Sequence, residues 1–184
     1  MIEYHGTLME YAEDIRDNGI LIKINIQNEL DFGYGFYLGD DVYATKIAKD
    51  KQKAQKSSEA VLMEYDVDYN GIRNRFSDII QHDSKTKAYL DDVFECRYHQ
   101  GEEFFNNSFI KAPIADGFVN GMMKWYKKKE TSLRKKIVYF MYWIPTKHEQ
   151  FVVKNPEVCK YLTLLRILNT KGEVLWEKSS EVTE

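Results

Sequence analysis

Asp31-Phe32-Gly33-Tyr34-Gly35-Phe36-Tyr37-Leu38 is the stretch that most restricts how this chain can fold. Two glycines one residue apart, set among aromatics, make a bend where backbone can approach a planar group closely. Aromatic faces beside such a bend are suited to stack on a flat ring. Upstream, His5-Gly6-Thr7 at the end of a first apolar segment adds hydrogen-bonding groups on a short, permissive backbone. The two motifs together describe a pocket for a nucleotide that carries a planar ring.

The elements around these motifs follow from periodicity and capping chemistry. Residues 2–5 read as a short buried strand. Residues 8–18 read as a helix, with Thr7 at its N-cap and Asn18-Gly19 as its stop. Residues 36–38 are a short strand, and Asp40 or Asp41 opens a helix to about Lys56. Further strands are expected over 61–67 and 109–114. Helices are expected over 84–97, with Tyr89, Val93 and Phe94 inward, and over 117–128 with Asp116 as cap. Residues 133–144 carry a helical stripe of Leu133, Ile137, Phe140, Met141 and Ile144. A brief strand at 151–153 precedes an Asn155-Pro156 helix start, and residues 164–176 form a terminal hairpin. Short strands interleaved with helices in no strict βαβ order predict an α+β fold. With no repeat, low-complexity tract or linker, residues 1–184 read as a single domain.

The 184 residues suffice for a core without staples. Cys96 and Cys159 have no metal-ligand spacing around them and read as two free thiols, so no metal site is expected. Met1 leads straight into a strand with no secretory pattern, and no apolar run nears the roughly 20 residues of a membrane helix. A cytoplasmic protein without membrane contact is the expectation. The net charge of −3 is uneven. Residues 124–136 hold seven basic residues and one acid, Glu130, so this block carries +6 and the remainder −9. With Trp125 and Tyr126 as stacking platforms, the block suits a phosphate backbone, and it equally suits a solvated helix junction. Lys46, Lys49, Lys53 and Lys56 share a helix face that could steer an anion or simply meet solvent.

The order His-Gly-Thr, helix, Asp-Phe-Gly-x-Gly-Phe-Tyr-Leu resembles the ADP-ribosyltransferase superfamily, and within it a bacterial group of unknown-function domains. Two further segments carry the likeness. Phe109-Ile110-Lys111-Ala112-Pro113-Ile114-Ala115-Asp116 resembles that group's strand ending in Gly-Pro-x-Ala-Asp. Glu149-Gln150-Phe151-Val152-Val153 precedes Lys160-Tyr161-Leu162. The likeness spans residues 2–168, with Ala112 where the group usually has glycine and Gly117 where it often has a second acid.

The resemblance implies two small antiparallel sheets around an NAD cleft flanked by helices. It implies NAD as substrate and a mono-ADP-ribosyltransferase that transfers ADP-ribose to a macromolecular acceptor, nucleic acid or protein. A toxin or phage-defence effector restrained by an antitoxin protein follows by analogy. In the superfamily pattern His5 bonds the adenine-side ribose, and Gly6 clasps the nicotinamide carboxamide through its N–H and C=O. Thr7 either helps through its hydroxyl or caps the helix. Tyr37 stacks on the nicotinamide ring, and Phe36 flanks it within the same cofactor-binding segment, its ring alternating toward the core. Gln150 stands where many members place a glutamate that stabilises the oxocarbenium-like transition state. A glutamine keeps the hydrogen bond but not the charge. Glu149, one residue away and on the opposite face, and Asp116 are the other candidate acids. Two other readings stay open: an NAD-binding module that lost turnover, and a nucleic-acid-binding protein using the basic block.

Overall fold

In a computed structural model the described residues are 1–22, 30–56, 58–99, 105–115, 118–128, 130–142 and 148–179. The architecture is mixed α+β and falls into two compact units, each assembled from segments distant in sequence.

The first unit comprises residues 1–21, 37–77 and 156–184. Its strands are β1 (Ile2–Leu8), β2 (Phe36–Gly39, from Tyr37 on), β3 (Ala60–Val67), β7 (Leu162–Asn169) and β8 (Val174–Glu177). They run in the order β2-β1-β3-β7-β8 and every pair is antiparallel. β1 and β3 pair from Ile2↔Asp66 to Leu8↔Ala60, so β1 is longer than residues 2–5. That length removes Thr7 from the helix cap. Thr7 is a buried strand residue opposite Val61, α1 (Met9–Asn18) has Leu8 at its N-cap with no side-chain bond, and the Met9 N–H donates to the Glu59 carbonyl. The stop at Gly19 is as read, with φ +85° and its N–H on the Ile15 carbonyl. α2 (Asp41–Gln55) is capped by Asp40, whose carboxylate accepts from the Tyr43 N–H at 2.8 Å. The terminal hairpin turns at Gly172, φ +88°, with the Asn169 side chain accepting from Lys171 and Glu173 N–H. α3 (Tyr69–Arg75) and a 3-10 turn over Pro156–Tyr161 complete the unit; the latter stands where a helix start was read.

The second unit comprises residues 22–36 and 78–155. Strands β4 (Ile79–Gln81), β5 (Phe109–Pro113) and β6 (Glu149–Val153) lie in the order β4-β5-β6. β4 and β5 are parallel while β5 and β6 are antiparallel, so this unit's sheet is mixed and the expectation of purely antiparallel sheets is corrected. β4 is three residues long and held by a non-local partner, which leaves little local signal. α4 (Lys87–Tyr98), α5 (Phe118–Tyr126) and α6 (Thr131–Tyr142) pack on one another. Tyr89, Val93 and Phe94 of α4 are fully buried, as their spacing predicts. Among the described residues of α6 the buried ones are Val138 and Met141, while Leu133 and Phe140 are 39% and 55% exposed; of the described members of the stripe read from periodicity, Met141 alone is buried. Ile144 lies outside the described residues.

Candidate functional site

The His-Gly-Thr motif occupies β1 where the ladder to β2 stops. Tyr4↔Gly39 is the register pair between these strands. Two residues further on, where Gly6 would meet Tyr37, side chains take the backbone acceptors instead. The His5 imidazole bonds the Tyr37 carbonyl through Nδ1 at 2.7 Å, and Lys51 Nζ donates to the Gly6 carbonyl at 2.8 Å. A carbonyl can only accept, so Nδ1 carries the proton of the neutral ring. Desolvation, and then the Lys51 charge, push the imidazole down to about 3, which keeps it neutral. Desolvation also lowers the Lys51 ammonium to about 8, so it remains mostly protonated at neutral pH.

Helix α2 builds this corner. Ala44, Ala48 and Lys51 follow i, i+4, i+7 spacing and share the face turned to the sheet. Ala44 is so close to β1 that a Cβ on Gly6 would lie 1.9 Å from the Ala44 carbonyl oxygen. Gly6 is therefore glycine because a helix sits on it. The lysines singled out from the sequence, Lys46, Lys49, Lys53 and Lys56, are all exposed. Lys51 went unnoticed, although its spacing from the two alanines marks it as the inward lysine.

The glycine bend organises a second cluster, inside the second unit. Gly33 has φ +70° and Gly35 φ +155°; a Cβ on Gly35 would meet Val152 Cγ1 at 2.6 Å, so the close approach is to β6. Asp31 is buried and accepts from Arg97 Nε at 3.0 Å and Arg97 Nη2, from the Ala115 N–H at 3.0 Å and from Gln150 Nε2 at 2.7 Å. Gln150, 5% exposed, also donates to the Pro113 carbonyl at 3.2 Å. Buried Lys154 donates to the Phe32 carbonyl at 3.0 Å, its ammonium 4.3 Å from the Tyr34 ring centre. Phe36 is buried, as alternation predicts. Glu149 points the other way, half exposed and 3.4 Å from Lys111. Asp116 lies outside the described residues. Asp31, Arg97 and Lys154 were not anticipated, because each is defined by partners far away in sequence.

The structure thus brings His5, Gly6, Thr7 and Tyr37 together on two strands of one unit, and puts Gln150 and Glu149 on opposite faces of one strand of the other. Tyr126 does not serve as a stacking platform: it is 2% exposed, packs on Phe94 and Tyr98, and its hydroxyl donates to Glu95. Trp125 is 61% exposed. Among the described residues there is no cluster of metal-ligating side chains, and no helix is long and apolar enough to cross a membrane. No curated protein and no solved structure matches the chain. A family model described as "Protein of unknown function (DUF3990)" matches residues 1–164, most of the sequence, and the chain belongs to that family.

Proposed function

We propose that this protein binds NAD and acts as a mono-ADP-ribosyltransferase. The observation that carries the reading is the interrupted ladder beside Gly6, which brings main-chain groups of Gly6 and Tyr37 together with a neutral imidazole. A nicotinamide carboxamide has a donor and an acceptor to match against backbone. The Gly6 carbonyl has a second lone pair beyond the one that Lys51 uses. The reading assigns the neutral His5 imidazole to a ribose hydroxyl and the Tyr37 ring to the pyridinium. In the reaction the bond from nicotinamide nitrogen to ribose C1′ breaks, its electron pair leaving with nicotinamide. A nucleophilic atom of the acceptor then bonds C1′ and gives up its proton.

Gln150 favours the second reading, an NAD-binding module with little turnover. Its amide nitrogen is committed to Asp31 and the Pro113 carbonyl, and it carries no negative charge to oppose an oxocarbenium.

The test uses purified protein, radiolabelled NAD and a cell lysate, following free nicotinamide and label in protein and nucleic-acid fractions. Nicotinamide release with label transfer, abolished by His5→Ala and by Tyr37→Ala in folded variants, supports the transferase. NAD binding without release selects the second reading. Turnover that survives both substitutions, or no binding at all, refutes the assignment of this corner to NAD.

A further inference from the structure

Helix α6 carries two apolar stripes and the core uses one of them. Val138 and Met141 are buried in the second unit, where α6 packs on α4. Leu133, Ile137 and Phe140, spaced i, i+4, i+7, form the other stripe. With Met122 and Trp125 of α5 and Lys136, they line a groove of about 390 Å3. Trp125, Phe140 and Leu133 are 61%, 55% and 39% exposed, a concentration of apolar surface that is unusual unless something docks there.

We propose that this α5–α6 groove is the docking site for an acidic amphipathic helix of a partner protein. The inference stands independently of the nucleotide reading. Charge selects the partner: Lys136 lines the groove, and Lys124, Lys127, Lys128 and Lys135 are exposed on the same two helices and their junction, in a block of net +6. Shape selects a helix. A trough between two helices, lined at i, i+4 and i+7, accepts anchors repeated at the same spacing along about three turns. A second copy docking through the same face would set +6 against +6, which the charge distribution opposes. Met122, Leu133 and Ile137 supply non-aromatic lining suited to leucine side chains, beside the aromatic Trp125 and Phe140.

The probe is a fluorescein-labelled peptide with leucines at i, i+3, i+4 and i+7 and glutamates on its remaining face, titrated with the full chain by anisotropy. Saturable binding that weakens as salt rises is expected, together with a loss of about tenfold or more in Phe140→Ser or Ile137→Ser and severalfold in Lys136→Gln. Circular dichroism of each variant checks the fold; Phe140 is exposed enough that its replacement leaves the core intact. An otherwise identical peptide with lysines for glutamates is expected not to bind. The proposal is overturned if the glutamate peptide fails to bind folded wild type, or if its affinity ignores the groove substitutions. It is overturned equally if a single-stranded oligonucleotide or anionic phosphatidylserine vesicles bind this face more tightly than the peptide. Self-association that Phe140→Ser abolishes would give the groove to a second copy and also overturn it.

Discussion

Placing the superfamily's glutamate at position 150 is predicted to damage the second unit before it helps any chemistry. Gln150→Glu is nearly isosteric, and it replaces the N–H donor with an oxygen facing Asp31 Oδ2 across 2.7 Å in a buried site. Two ionised carboxylates at that separation repel by about 6 kcal/mol at an effective dielectric of about 20. Arg97 already serves the far oxygen of Asp31, so one cation would face two anions. The repulsion need not be borne in full, because the new carboxyl can keep its proton and donate to Asp31. Holding a carboxyl protonated at pH 7 against an ordinary pKa of about 4.3 costs about 4 kcal/mol, which caps the electrostatic deficit at neutral pH. The folded-state pKa of the new group lies above its unfolded value. Its deficit is therefore absent below about pH 4.3 and grows as pH rises, by at most about 1.4 kcal/mol per unit, until the folded pKa is reached. Gln150→Met provides the control: it loses two hydrogen bonds, about 1–3 kcal/mol, with no added pH dependence relative to wild type. The assay is urea unfolding followed by circular dichroism at intervals from pH 4.5 to 8, beside nicotinamide release. A Gln150→Glu protein as stable as wild type at pH 7, with the same pH profile, would mean that the Gln150–Asp31 contact is wrong.

Gly6→Ala should destabilise by about 3 kcal/mol or more, the upper end of overpacking effects, because its Cβ meets backbone rather than a side-chain tip; an unchanged urea midpoint would remove the close approach of α2. In wild type the His5 ring is expected to titrate near pH 3 by NMR, so stability should rise with pH between about 3 and 6.5 as the unfolded state gives up its extra proton. Lys51→Met should move that titration upward while desolvation keeps it below 6.5, and an ordinary titration near 6.5 in wild type would contradict the desolvated setting of the ring. Cys96, 2% exposed with its thiol pushed up by burial to about 11, should resist Ellman's reagent at pH 8 until urea is added. Two fast equivalents from the native protein would count against that burial.

Much of the fold was legible because its signals are local. A cap at Asp40 or Asp41, Gly19 as a stop and the turn of the 164–176 hairpin each depend on a few adjacent residues, and each was readable from them. Thr7 misled because a cap residue and a strand residue look alike until the partner strand is known; β3 continues to Ala60 opposite Leu8 and claims it. The α6 stripe misled in a different way. Periodicity reports an apolar face, and it cannot report whether that face meets the core or a groove. Tyr126 looked like part of a basic surface by its neighbours, yet one turn of helix rotates it onto Phe94. The His5–Tyr37 proximity was expected from motif order, whereas Lys51 on Gly6 and Asp31 on Arg97 join residues 45 and 66 positions apart and leave no mark on either segment alone.

A single carboxylate, that of Asp31, ties the glycine bend to α4, to Ala115 just past β5 and to β6. Anything that loosens one of these attachments weakens the other two, since a buried anion stripped of any donor becomes costly for all of them. The second unit is therefore expected to lose its protection against amide exchange around Arg97, Ala115 and Gln150 in one event, like a tent whose guy-lines share a peg.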